Sequence, residues 1–177
     1  MTRGVLLIDI QQDYFAGGAY PLVGADAAAL VASRVLAEAR VAGDWVGHVQ
    51  HLAEPDGGFL ISGTPGADIH SAVAPLASET VITKGSPNSY LGTNLQAVLQ
   101  DNDIDDLVVV GMMTSMCVDA TVRAALDTGR RVTVVENGCA APDLEFGGET
   151  IGGRQVHLAF AGALRDAGAT VVTWPTT

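Results

Sequence analysis

Three side chains at the ends of apolar segments could together cleave an acyl bond: Asp9, Lys84 and Cys117. Asp9 closes Val5-Leu6-Leu7-Ile8-Asp9 and Lys84 closes Thr80-Val81-Ile82-Thr83-Lys84, while Cys117 follows Val-Val-Val-Gly-Met-Met-Thr-Ser-Met where a helix should begin. A cysteine at a helix N-terminus beside a lysine is a candidate nucleophile, because both features favour the thiolate. A neighbouring aspartate supplies the base, so Cys, Asp and Lys can divide the labour of covalent catalysis. Of the nine basic residues, eight are Arg and only Lys84 is Lys. A guanidinium cannot replace a compact ammonium of adjustable pKa. Each residue alone has a plainer account: chance for a single Lys, a small buried hydrophobe for Cys117, a helix cap or satisfied carboxylate beside Gln11 for Asp9. The coincidence of all three outweighs those accounts. Cys139, in Asn-Gly-Cys-Ala-Ala, has no recognisable activating neighbour and reads as a buried thiol.

These residues need a scaffold that brings strand ends together. Short β-branched runs alternate with longer Ala-rich stretches, the pattern of a doubly wound α/β fold in three layers, a parallel sheet with helices on both faces. Six strands are expected, at 4–9, 45–51, 80–84, 107–111, 132–136 and 170–174; runs such as Leu107-Val108-Val109-Val110 suit strands buried on both faces. Helices are expected at 25–42, 94–101, 116–128 and 153–167, with Gly43, Gly129 and Gly168 near their C-termini. Two irregular stretches remain, 52–78 and 140–153, and long loops in compact domains are often functional. In open α/β sheets ligands bind outside the carboxyl ends of the strands, so Asp9, Lys84 and Cys117 should project into one crevice.

A chain of 177 residues with 48% hydrophobic content is expected to fold as one domain, 1–177. A formal charge of −11 argues against nucleic acid or an anionic membrane surface as partner. The apolar segments fall far short of the roughly 20 residues of a membrane span, and the N-terminal residues lack the pattern of a signal peptide. A cytoplasmic location is expected, with both cysteines reduced.

Four segments carry a family resemblance: Leu-Leu-Ile-Asp-Ile-Gln-Gln-Asp-Tyr-Phe at 6–15, Gly-Thr-Pro-Gly-Ala at 63–67, Thr-Lys-Gly-Ser-Pro-Asn-Ser-Tyr-Leu-Gly-Thr-Asn-Leu at 83–95, and Gly-Met-Met-Thr-Ser-Met-Cys-Val-Asp-Ala-Thr-Val-Arg-Ala-Ala at 111–125. In this order, and over nearly the whole chain, they resemble the isochorismatase-like cysteine hydrolases, which include nicotinamidases, carbamoylsarcosine amidohydrolase and streptothricin hydrolase. The resemblance implies a six-stranded parallel sheet, with Asp9 as base, Lys84 as cation and Cys117 as nucleophile. It also implies a cis peptide bond between Met112 and Met113, with the Met113 and Cys117 amides forming an oxyanion hole. Assembly as a homo-oligomer is a further implication.

Nicotinamidases of this family hold a metal with an Asp-x-His pair and further histidines; here the stretch is His48-Val49-Gln50-His51. Strand residues three apart face opposite ways, and the acidic partner is missing, so no metal and no cofactor are expected. His51 is a candidate pocket residue. Tyr14, Phe15, Phe59 and Tyr90 are expected in loops around the crevice, and Ser115 stands where relatives often carry Asn, Asp or His. The expected activity is hydrolysis of a small-molecule amide, lactam or ureido C–N bond through a thioester. The alternatives are vinyl ether cleavage of the isochorismatase kind, or a non-catalytic small-molecule binding relative.

Overall fold

A computed structural model of the protein describes residues 2–175. β1 (Thr2–Ile8), β2 (Trp45–His51), β3 (Thr80–Lys84), β4 (Ile104–Met112) and β5 (Arg131–Ala140) form a sheet with the last strand, β8 (Thr170–Val172). The order is β3-β2-β1-β4-β5-β8, and every pairing is parallel. Four helices cover it: α1 (Ala25–Ala42), α2 (Leu95–Asp101), α3 (Asp119–Asp127) and α4 (Gly153–Asp166). This is the expected three-layer arrangement.

The alternation of side chains along a strand explains why the central strands are apolar throughout. In β1, Val5 and Leu7 pack with Ala28, Ala32 and Leu36 of α1, whereas Leu6 and Ile8 pack with Leu95, Val122 and Leu164 of α2, α3 and α4. In β4, Val108 and Val110 join the first group and Leu107 and Val109 the second. A polar residue on either face would displace apolar contact from one of the two cores.

Three elements differ from expectation. β5 continues past Glu136 to Ala140, because it bulges: Val109 pairs with Val134 but Gly111 pairs with Cys139, so β4 advances two residues while β5 advances five. The helix expected at 116–128 is divided into a π-helical turn, Thr114–Val118, followed by α3. Stretch 140–153 contains an antiparallel hairpin, β6 (Leu144–Phe146) with β7 (Glu149–Ile151), turning through Gly147 and Gly148 at positive φ. Among the described residues, no helix is long and apolar enough to cross a membrane.

At the opposite end of β3 from Lys84, a polar cluster ties that strand's entry to α1. Arg40 donates to Glu79 through Nε at 2.7 Å and Nη2 at 2.9 Å, the Leu76 amide donates at 2.8 Å, and His48 Nε2 lies 3.0 Å from the same carboxylate. Hydrogen bonding from Arg40 is the main cause holding the Glu79 carboxyl at about 2, below its ordinary 4.5, and burial pushes His48 below its ordinary 6.5. Both groups therefore bind protons more readily when unfolded, and both contribute stability that is lost on acidification. We expect Tm to fall as pH drops below 6.5, through His48, and further between 4.5 and about 2, through Glu79. In a pH series of thermal melts, Glu79→Gln should lower Tm at pH 7 and flatten the acid limb; an acid limb of unchanged slope would remove Glu79 from this account.

Candidate active site

β1 lies between β2, which continues the chain to one side, and β4, which begins the other half. Their carboxyl ends flank the crevice where such sheets bind ligands. Asp9, directly after β1, has φ of 50°, a left-handed conformation, and its amide donates to the Val49 carbonyl at 3.0 Å. Lys84 and His51 end β3 and β2, pairing with each other in the sheet register. Cys117 sits in the π-helical turn after β4, where the Val118 amide donates to the Met113 carbonyl at 3.2 Å. Gly111 lets β4 approach β1 there: at φ of 149°, a Cβ would collide with the Ile8 carbonyl. The Met112–Met113 peptide bond is cis, as the resemblance implied.

The three side chains meet. Lys84 Nζ lies 2.6 Å from Asp9 Oδ2, with both side chains fully buried. One ligating atom each from Asp9, His51 and Cys117 lies within 4.8 Å of the others. Lys84 Nζ is also 3.1 Å from His51 Nδ1 and donates to the Ser86 carbonyl at 3.0 Å. An ammonium can only donate, and this one is ion-paired with Asp9 and held by the other two. Nδ1 of His51 must then accept, which leaves its proton on Nε2. Burial, and next the Lys84 charge, hold His51 down at about 4, so the ring is neutral near pH 7.

The protonation state of the cysteine departs from expectation. Burial, and next the Asp9 carboxylate, push the Cys117 thiol up to about 12, although Lys84 opposes them. Lys84 does not leave a resting thiolate, because its charge is already balanced by Asp9. Burial also raises Asp9 above its ordinary 3.8, against the lowering influence of Lys84. A raised carboxylate is a stronger base. The arrangement thus suits proton transfer from sulfur to Asp9 as the sulfur attacks, rather than a preformed thiolate. Cys139 is a second buried thiol, with Sγ 3.5 Å from the Val135 carbonyl and no carboxylate–ammonium pair beside it.

A cavity of about 60 Å³ opens above Cys117, walled by Tyr14, His51, Phe59, Leu60 and Pro87, with Met113 and Met116 from the turn that carries Cys117. A wider hollow, of about 400 Å³, lies between 12–18 and 65–68, but none of the three converging residues lines it. The donor set does not suit a metal: Asp9, His51 and Cys117 converge as ligands would, yet the Lys84 ammonium is engaged with two of them and would repel a second cation.

A family description, the Isochorismatase domain, matches residues 3–175. The chain belongs to the isochorismatase family. It is 43% identical over 174 residues to the Bacillus subtilis isochorismatase family protein YddQ, covering 98% of this chain and 97% of that one. It is 31% identical to the nicotinamidase of Escherichia coli, over 81% of this chain and 85% of the relative. Among solved structures, the isochorismatase hydrolase of Oleispira antarctica superposes with a TM-score of 0.94 at 44% identity, covering 97% of this chain and 93% of that one. This is a family of hydrolases.

Of the residues expected in the pocket of this isochorismatase-family chain, Tyr14, His51 and Phe59 line the cavity and three others do not. Phe15 is turned away, stacked on His70 at a centroid distance of 3.9 Å. Tyr90 packs against the core beneath α2 and α3, its hydroxyl near Thr128 and Arg130. Ser115 buries its hydroxyl without a partner and contributes nothing to the wall.

Two residues that support the site escaped sequence reasoning. Gln11, fully buried, pairs with the His51 backbone: Nε2 donates to the carbonyl at 2.8 Å and Oε1 accepts from the amide at 2.8 Å. Its Nε2 also donates to the Ala67 carbonyl at 2.7 Å, tying stretch 52–78 to β2. Asp13 accepts from the Ala19 amide at 3.0 Å and the Leu60 amide at 2.6 Å, holding Leu60 in a left-handed conformation over the cavity. The available signal was slight: Gln11 and Asp13 lie between the apolar Ile8, Ile10 and Tyr14, in a segment of mixed polarity. On the far side of the turn that carries Cys117, Thr114 Oγ1 lies 2.9 Å from His157 Nδ1, and His157 Nε2 lies 3.1 Å from Glu136.

Proposed function

We propose that this isochorismatase-family protein is a cysteine-dependent hydrolase, cytoplasmic and homo-oligomeric, that cleaves the C–N bond of a small-molecule amide, lactam or ureido compound through a thioester. The observation that carries this reading is the buried contact of Asp9 with Lys84 at 2.6 Å, with Cys117 beside them. Asp9 takes the thiol proton as Cys117 Sγ attacks the carbonyl carbon, and Lys84 keeps the carboxylate in place. The Met113 and Cys117 amides hold the oxyanion, a contribution of about 3–4 kcal/mol per donor. The tetrahedral adduct collapses to the thioester, and Asp9 returns its proton to the departing amine. Asp9 then removes a proton from water as the water attacks the thioester carbon; collapse releases the carboxylic acid, and the proton on Asp9 returns to the sulfur.

An acid-quenched reaction with p-nitrophenyl acetate tests the covalent step. Peptide mass spectrometry should find the acetyl group on Cys117 and not on Cys139, and the Cys117→Ala protein should lack it. Hydrolysis of the ester with no acyl group on Cys117 would overturn the thioester route.

A further inference from the structure

The cavity above Cys117 restricts what can react there. Resting on the hydrolase reading, we infer that the substrate is a small, uncharged aliphatic amide whose acyl substituent has two or three carbon atoms, and that carboxylate-bearing and aromatic amides are rejected. Size is the first ground. An engineered apolar cavity of about 150 Å³ binds benzene, whereas this one, open on one side, measures about 60 Å³. Its inner wall is firm: Tyr14 and Leu60 are each 1% exposed, and Leu60 is fixed by its amide bond to Asp13 at 2.6 Å. Only Met116, 46% exposed, lies on a side that can yield.

Charge is the second ground. Among the described residues, no Lys or Arg lines the cavity. Lys84 lies close by, but its charge is paired with the Asp9 carboxylate at 2.6 Å, and it is further held by His51 Nδ1 at 3.1 Å and the Ser86 carbonyl at 3.0 Å. That charge is balanced by Asp9 before any anionic substrate enters. A carboxylate entering here would lose its water, gain no cation, and approach the negative charge of Asp9. The polar equipment that remains is neutral: the Nε2–H of His51 and the phenol of Tyr14, which burial keeps protonated. These suit a substrate carrying one amide group and little else.

Isobutyramide, oxamate and benzamide separate the two grounds, since oxamate nearly matches isobutyramide in shape but carries a charge, and benzamide is neutral but too large. Ammonia release should show Cys117-dependent turnover of isobutyramide, with kcat/KM for oxamate and benzamide lower by at least about 100-fold. Met116→Ala should raise benzamide turnover by about tenfold without helping oxamate. Comparable turnover of oxamate or benzamide by the native protein would overturn the inference and leave the hydrolase reading standing. Acetylation of Cys117 by p-nitrophenyl acetate without hydrolysis of isobutyramide would have the same meaning. No acyl group on Cys117 from any of these compounds would remove both.

Discussion

Cys117→Ala should lower kcat by about 10⁵- to 10⁶-fold, the scale on which loss of a nucleophile abolishes covalent catalysis. The loss is this large because, among the described residues, no other group beside the cavity can replace the sulfur. Asp9 is held against Lys84, and Cys139 lies in β5, bonded to the Val135 carbonyl. The protein should still fold, with stability within about 2 kcal/mol of native. The substitution leaves the Asp9–Lys84 pair intact and removes one buried atom from a turn held by backbone bonds to Met113. Circular dichroism and thermal melts check the fold, and ammonia release checks activity. Cys139→Ala should keep native kcat. Native-like ammonia release by Cys117→Ala would sink the thioester mechanism.

The sheet was legible because its central strands bury both faces, so runs such as Val108-Val109-Val110 could hardly be anything else. The bulge in β5 was not, because Glu136-Asn137-Gly138 has the composition of a turn and the strand resumes only through its pairing with Gly111 and Met112. The β6–β7 hairpin was equally hidden: its strands are three residues long, and Phe146 and Ile151 point largely to solvent, so no alternation marks them.

Within the site, the rule that chemistry gathers at strand ends located Asp9, Lys84, Cys117 and His51. Leu60, Pro87 and Met116 could not be found that way, since their positions over the cysteine depend on loop paths. The path of stretch 52–78 is set by Gln11 and Asp13, through bonds to residues more than forty positions away. The state of the thiol was misjudged for a related reason. A neighbouring lysine lowers a thiol pKa, but burial and a nearby carboxylate raise it, and the sequence could not reveal that Asp9 sits 2.6 Å from that lysine in a fully buried site.

That pair yields the second large effect, in which stability and activity should separate. Lys84→Met removes the partner of a fully buried carboxylate, a change that costs about 3–5 kcal/mol, and Tm should fall by roughly 6–20 °C for a domain of this size. Without Lys84 the Asp9 carboxyl loses its main lowering influence, rises further, and can no longer accept the thiol proton near pH 7. Activity should drop by about 10⁴-fold, the upper range for loss of a positioned base. Asp9→Asn should be comparably unstable, because it leaves the ammonium with only His51 and the Ser86 carbonyl. In the double variant both charges are gone, and a neutral pair in a buried site is often as stable as the ions it replaces. Tm should therefore recover most of the loss while turnover stays absent. Strictly additive losses of stability would mean that the two residues do not act as a pair, and substantial turnover in the double variant would take both out of the chemistry.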